Sequence, residues 1–291
     1  MTDQRTVKQH YVPECYLKHF TENGLLTVYD VLENRFNRPI GTSGACYLRH
    51  YYEVEGLDYN EVERRLAKLE NSLCKVIDGI LKDSDSIRDH QEEVVRFASL
   101  LQVRSPVFRN AIRTSGLTDN SPDSDENSVE TEVRSIHGSM IELVEHMFLD
   151  DRIREWTCVL KPFGNDILIA SDNPVFPCDL REIAKVPLDT EISGAILPLD
   201  MRHLAIMFRK TDYERFGVQF LTSDDSVDPV KVNRLTMRGA IRYVYFKNMY
   251  MTPFIDESFD RYCFNDEVCD EIEDDKRDSD RYCKEHVIRM D

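Results

Sequence analysis

A histidine beside a proline-directed turn lies close to the start of the chain. The run from Lys8 to Phe20 reads KQHYVPECYLKHF and places His10 and Tyr11 just ahead of Pro13. A proline fixes its own φ and holds the preceding residue extended, so this run predicts a short strand that passes into a helix. At such a junction His10 would lie beside free backbone N–H groups and could transfer a proton. Alternatively, His10 only hydrogen-bonds the junction and the tyrosines pack in the core.

A second polar group directly follows the apolar stretch 167–170. It consists of Ser171, Asp172 and Asn173, and Pro174 comes next. Polar side chains at the end of a buried strand often build sites in proteins with both helices and sheets. Asp172 could be a general base, a metal ligand or the partner of an arginine, and Asn173 could orient a carbonyl or a phosphate. The alternative is an Asx turn that Pro174 ends.

Two amphipathic helices are predicted between these groups. The first covers 60–82, where apolar residues recur at intervals of three and four. Glu63 and Glu70 lie at the border of its apolar face, roughly 10 Å apart along the axis. That separation is too large for both to hold one metal ion without a third element. Each could pair with an arginine of a neighbouring segment, or each could form an ordinary ion pair on the helix surface.

The second helix covers 89–103, with Gln102 at the edge of its apolar face. Arg104 follows, and Pro106 predicts a kink or an end of the helix there. A guanidinium beside such a kink is well placed to reach inward. It could clamp a phosphate or a carboxylate through paired N–H donors.

The elements that must position these residues change in character along the chain. Helical periodicity dominates about 58–150, whereas strand patterns dominate about 154–246 and an N-terminal hairpin. A last helix is predicted over 228–240, since Asp228 is a favourable N-cap. We therefore predict an α+β fold in which a helical N-terminal half packs on a mixed β-sheet. This single domain would span 1–255, and 256–291 would form an acidic C-terminal tail.

The net charge of −17 limits the partners that the chain can bind. Long-range repulsion opposes loose binding to a nucleic-acid backbone, although it leaves room for a local basic pocket. The stretch 256–285 contains thirteen acidic and five basic residues. A basic protein could therefore bind the tail.

Cysteine usage and apolar content indicate the compartment. The eight cysteines form no C-x-x-C pair, so we expect free thiols and no zinc module. No apolar run approaches the roughly 18 residues of a membrane helix, and the first residues lack an apolar signal core. These features predict a cytoplasmic protein that does not enter a membrane.

The motifs taken together resemble the family called DUF4238, a domain of unknown function. The resemblance spans about 8–246, and its most specific parts are His10-Tyr11-Val12-Pro13 and Ser171-Asp172-Asn173-Pro174-Val175. It implies a recurring polar set drawn from different elements: His10, Glu63, Gln102, Arg104, Asp172, Asn173 and Asn233. Our structural hypothesis is that this set converges on one pocket.

Each member of the pocket would have its own role. His10 would transfer the proton, Asp172 would be its partner or base, and Arg104 would hold an anion. The remaining side chains would bind the substrate, and they are Asn173, Gln102, Tyr11, Glu63 and Asn233.

Two functions from different classes fit this pattern. The first is a nuclease-like or phosphodiesterase-like hydrolase of a phosphodiester or nucleotide, with a role in bacterial defence. Its substrate would be a nucleotide or single-stranded nucleic acid, because the acidic charge opposes long duplexes. We assign no metal ligand and no cofactor, although a divalent metal is compatible with this chemistry. The alternative is a non-catalytic module that senses a nucleotide or binds a protein partner through its acidic tail.

Overall fold

The computed structural model describes residues 7–118, 126–146, 151–185, 191–212 and 226–248. The predicted acidic tail at 256–291 lies outside these residues. The α-helices of the described chain are α1 (Glu14–Leu17), α2 (Glu61–Ile80), α3 (Gln91–Arg104), α4 (Pro106–Thr114), α5 (Glu126–His146), α6 (Asp151–Arg154) and α7 (Pro229–Gly239). The β-strands are β1 (Lys8–His10), β2 (Leu25–Asp30), β3 (Arg35–Phe36), β4 (Ile40–Gly41), β5 (Tyr47–Arg49), β6 (Trp156–Pro162), β7 (Ala170–Ser171), β8 (Phe176–Asp179), β9 (Ser193–Pro198), β10 (His203–Arg209) and β11 (Tyr243–Phe246).

The α+β class predicted from the sequence is confirmed. The helices α2 and α3 form where apolar periodicity predicts them, and α7 forms where Asp228 predicts a helix start. Asp228 caps α7 as expected, because its carboxylate accepts a hydrogen bond from the backbone N–H of Val230 at 2.9 Å. Within the part of the chain that the structure describes, no helix is both long and apolar enough to cross a membrane.

The described strands pair in antiparallel fashion and form three sheets. One contains β1 and β5, and a second has the order β6-β10-β9-β8. The third has the order β3-β2-β11-β7, with β4 also paired to β2. Because β2 pairs with β11 along Thr27–Asp30, the N-terminal hairpin completes a sheet whose other strands come from the end of the domain.

The N-terminal run connects the helices to the sheets. Tyr16, Leu17 and Phe20 are fully buried in the largest core cluster. The hydroxyl of Tyr16 donates a hydrogen bond to the carbonyl oxygen of Pro198 at 2.8 Å. The junction predicted around Pro13 forms as expected, since β1 ends at His10 and α1 begins at Glu14.

The buried stretch 167–170 is not the central strand that its apolar character suggests. Only Ala170 pairs in a ladder there, as part of the short terminal strand β7. The backbone N–H of Ile169 donates to the side-chain oxygen of Asn233 at 3.3 Å, and the Asn233 amide donates to the carbonyl of Ile167 at 2.7 Å. A buried asparagine thus satisfies backbone groups that a neighbouring strand would otherwise pair.

The expectation that all cysteines are free is wrong for one pair. Cys15 in α1 and Cys74 in α2 form a disulfide, with their Cα atoms 6.3 Å apart. Their separation of 59 residues carries no recognisable spacing signal, because disulfide pairing depends on proximity in the fold. Among the described cysteines, Cys46, Cys158 and Cys178 are not part of a disulfide.

Candidate functional site

Arg104 is a buried centre that connects the N-terminal run with two helices. Its side chain is 1% exposed at the end of α3. Its Nε donates to the Tyr52 hydroxyl at 3.0 Å, and its terminal nitrogens donate to the Glu70 carboxylate and to the His10 carbonyl oxygen. All three guanidinium nitrogens therefore have protein partners, and the side chain is closed to solvent. This geometry leaves no room for the direct contact with an anion that we predicted for Arg104.

The His10 side chain lies beside this centre with one nitrogen atom unsatisfied. Its Nε2 is buried and has no hydrogen-bond partner among the described residues. The nearest carboxylate oxygen, from Glu14, is 3.9 Å away. Burial lowers the pKa of His10, and Arg104 lowers it further, although Glu14 opposes both effects. The imidazole is therefore neutral at pH 7 and can accept a proton on Nε2.

The pKa of Glu63, on the neighbouring helix α2, is shifted upward, in the opposite direction to the pKa of His10. Its Oε2 is buried, and no described residue hydrogen-bonds to it. Burial raises the pKa of Glu63 to about 7, with Glu70 and Glu53 adding to the rise and Arg104 opposing it. At neutral pH this carboxyl group is protonated in a large fraction of molecules, so it can donate a proton.

We call the group formed by His10, Tyr52, Glu63, Glu70 and Arg104 the acid–base recess. The charge of Arg104 acts on the pKa of both His10 and Glu63, so the two titratable groups share one buried cation as an electrostatic neighbour. A neutral imidazole can accept a proton and a protonated carboxyl group can donate one, so the two can move protons in opposite directions during one reaction. This is the chemistry that the arrangement can perform.

Asp172 is not part of this recess. It is 1% exposed, and its carboxylate accepts hydrogen bonds from the backbone N–H groups of Ile241, Arg242 and Tyr243 at 2.8–2.9 Å. These bonds fix the turn between α7 and β11. Asp172 is therefore bound by the backbone of its own sheet, which does not fit the role of base or partner of His10 that we predicted.

Two other predicted site residues also hold the backbone in place. The Asn173 amide donates to the carbonyl of Gly239 at 3.0 Å, and its oxygen accepts from the Ser105 hydroxyl at 3.0 Å. Asn233 is fully buried and binds the 167–169 segment as described above. Both side chains connect α7 and its surroundings to the chain near β7.

The last two predicted site residues, Tyr11 and Gln102, lie in the hydrophobic core and at a separate cavity, respectively. Tyr11 is buried in the core, which raises the pKa of its hydroxyl well above the ordinary value, and the charge of Asp172 adds to this. Gln102 lines an apolar cavity of about 340 Å³. Residues two apart on a helix point in nearly opposite directions, so Gln102 faces away from the recess that Arg104 reaches.

The structure thus divides the predicted pocket. Arg104 binds the His10 carbonyl, and its charge acts on the pKa of both His10 and Glu63, whereas Gln102, Asp172, Asn173 and Asn233 have other partners or lie elsewhere. Sequence reasoning did not assign Tyr52 and Glu70 to the site. Glu70 had a usable signal, because it lies two turns after Glu63 and was expected to pair with an arginine. In the described part of the chain, no three His, Cys, Asp or Glu residues are grouped as a metal site.

Comparison with known proteins identifies the family. The model of the family described as "Protein of unknown function (DUF4238)" matches residues 8–249, which includes the whole acid–base recess. No curated protein and no solved structure matches the chain. Because the family match covers well over half of the 291 residues, this chain belongs to the DUF4238 family.

Proposed function

We propose that this protein is a hydrolase in which His10 and Glu63 carry out acid–base catalysis. One observation carries the proposal. Two titratable side chains each have a buried polar atom without a partner, and both lie within reach of the charge of Arg104. A fold under selection for stability alone gains nothing from such atoms, because an unsatisfied buried polar group costs about 1–3 kcal/mol.

Each residue of the recess has a distinct role in this proposal. His10 accepts a proton from the attacking water through Nε2, and protonated Glu63 donates a proton to the oxygen of the leaving group. Each step of this kind contributes about 10²–10⁴-fold to the rate. Arg104 is a positioning residue, since its hydrogen bond to the His10 carbonyl holds the strand end and its charge limits the rise in the pKa of Glu63.

The substrate class in this proposal is the one that the sequence predicts, a phosphodiester or a nucleotide. The charge state of the recess supports an anionic substrate. In the large fraction of molecules that have Glu63 protonated at pH 7, the recess carries no net charge, because His10 is neutral and Glu70 is paired to Arg104. It therefore does not repel a phosphate, even though the whole chain is acidic.

The test compares three variants on a panel of substrates. The panel contains bis(p-nitrophenyl) phosphate, nucleoside triphosphates and single-stranded oligonucleotides, each with and without Mg²⁺. We expect His10→Ala and Glu63→Gln each to lower kcat by about 100-fold or more, with little loss of thermal stability. The exposed histidine at position 50 provides a control, and His50→Ala should leave kcat unchanged.

Two outcomes contradict the proposal. If the His10→Ala and Glu63→Gln variants both turn over substrate at the wild-type rate, neither residue is catalytic. An absence of turnover on the whole panel favours the alternative of a nucleotide-sensing or protein-binding module.

A further inference from the structure

A cavity lies on the face of α3 opposite to Arg104. One face of α3 forms its floor through Val95, Ala98 and Gln102, which follow each other at helical spacing. The opposite wall contains Ala195 of β9 and Met207 of β10. This cavity is formed between the helical layer and the four-stranded sheet, and it shares no lining residue with the recess.

The size of this cavity matches a small organic molecule. Its volume is about 340 Å³. An apolar cavity of about 150 Å³ binds benzene, and ligand pockets in proteins begin at about 300 Å³. The space therefore fits a compound of two fused rings.

The chemistry of the lining defines the ligand further. None of the described residues that line the cavity is charged. The side-chain amide of Gln102 has no hydrogen-bond partner in the described chain, although it can present one donor and one acceptor side by side. The indole of Trp156, the single tryptophan of the protein, offers a flat apolar surface at the rim.

We propose that this cavity binds a neutral, planar, two-ring heterocycle that pairs with the amide of Gln102. A glutamine amide can pair in this way with the adjacent donor and acceptor of an adenine base. The absence of charged lining residues disfavours ligands that bury an ionised group, because no counter-charge offsets the desolvation. The site does not depend on hydrolase activity in the recess.

The lone tryptophan makes the proposal directly testable with the full-length protein. Adenine is the probe, and the fluorescence of Trp156 is the signal. We expect a saturable change in emission with adenine. Gln102→Leu should weaken adenine binding about tenfold or more, because it removes the paired hydrogen bonds while keeping an apolar wall.

Two further variants complete the experiment. Ala195→Phe fills the cavity and should abolish the fluorescence response, with a thermal melt to confirm that the variant folds. Asn71→Leu makes a comparable amide-to-leucine change at an exposed position on α2 and should bind adenine like the wild type. A wild-type protein that gives no saturable response overturns the proposal. Equal adenine affinity in wild type and Gln102→Leu overturns the role of Gln102.

Discussion

At the scale of single residues, the recess is defined by what its side chains lack. Most buried polar atoms in proteins have a hydrogen-bond partner. His10 Nε2 and Glu63 Oε2 do not have one among the described residues, although a fully engaged arginine lies close to both. We therefore expect these two residues to show the pattern of functional groups, in which loss of the group costs activity and does not cost stability.

Glu63 gives the sharpest prediction of this kind. Its pKa rises from the ordinary 4.5 to about 7 in the folded protein, so the folded state retains a proton that the unfolded state releases between these values. Stability is therefore lost as the pH rises from 4.5 through 7. Glu63→Gln removes this loss, and we expect the variant to gain on the order of 1–2 kcal/mol over wild type at pH 8 and almost nothing at pH 4.5.

Urea unfolding of both proteins across this pH range measures the effect. Glu92→Gln, in the first turn of α3, is a matched control that should not gain stability over the wild type as the pH rises, because it removes a negative charge from the N-terminus of a helix. A constant difference between Glu63→Gln and wild type at all pH values would mean that the carboxyl group is not held in its neutral form.

For Asp172 we expect removal of the side chain to lower the stability of the protein. Replacement by alanine removes the acceptor of three backbone N–H groups in the turn between α7 and β11. Each buried donor left without a partner costs about 1–3 kcal/mol, so we expect Asp172→Ala to lose at least about 3 kcal/mol of unfolding free energy. Urea unfolding measures this loss. Asp172→Ala with wild-type stability and no activity would restore Asp172 as a catalytic candidate.

At the scale of elements, α2 and the N-terminal run act as a unit. The recess takes His10 from the end of β1 and Glu63 and Glu70 from α2, and the disulfide between Cys15 and Cys74 joins the same two parts of the chain. The bond therefore limits how far β1 and α2, which carry His10 and Glu63, can separate.

This arrangement predicts that reduction lowers stability. Closing a loop of 59 residues contributes about 4 kcal/mol on the chain-entropy model. We expect dithiothreitol to lower the Tm of the wild type and to leave the Tm of a Cys15→Ser/Cys74→Ser variant unchanged. Mass spectrometry of the alkylated protein counts the bonded cysteines, and two free thiols at these positions in the non-reduced protein would contradict the bond.

The helix α3 serves two sites because of its geometry. Gln102 and Arg104 are two residues apart, about 200° around the helix axis, so one faces the cavity and the other faces the recess. A substitution of Gln102 should therefore leave the hydrogen bonds of Arg104 unchanged, and a substitution of Arg104 should leave the lining of the cavity unchanged.

At the scale of the whole molecule, the charge of −17 sets a limit on substrates. Binding of duplex DNA without sequence preference depends on neutralising phosphates with basic side chains, and this chain has far fewer basic than acidic residues. We expect no shift of a short DNA duplex in a gel at low salt with protein up to about 10 μM, a range in which nonspecific DNA binders act. A shift at micromolar protein would reveal a basic surface strong enough to overcome the net charge.

Much of the fold follows from local patterns in the sequence. Apolar residues at intervals of three and four predict α2 and α3, and Asp228 before Pro229 predicts the start of α7. The site was predicted only in part. The sequence selects His10, Glu63 and Arg104, but it also places Asp172 with them, because a polar residue after an apolar run has the same pattern whether it binds a substrate or a turn of the backbone.

By itself, the sequence determined the long helices α2 and α3, the start of α7, and several polar side chains at the borders of these elements. These features depend on residues within a few positions of each other. The tertiary structure alone decided that β2 pairs with β11, that Cys15 meets Cys74, and that Arg104 reaches His10 while Asp172 binds the turn at 241–243. Each of these contacts joins residues at least 59 positions apart, and a contact of that range depends on how whole elements pack, which no local pattern encodes.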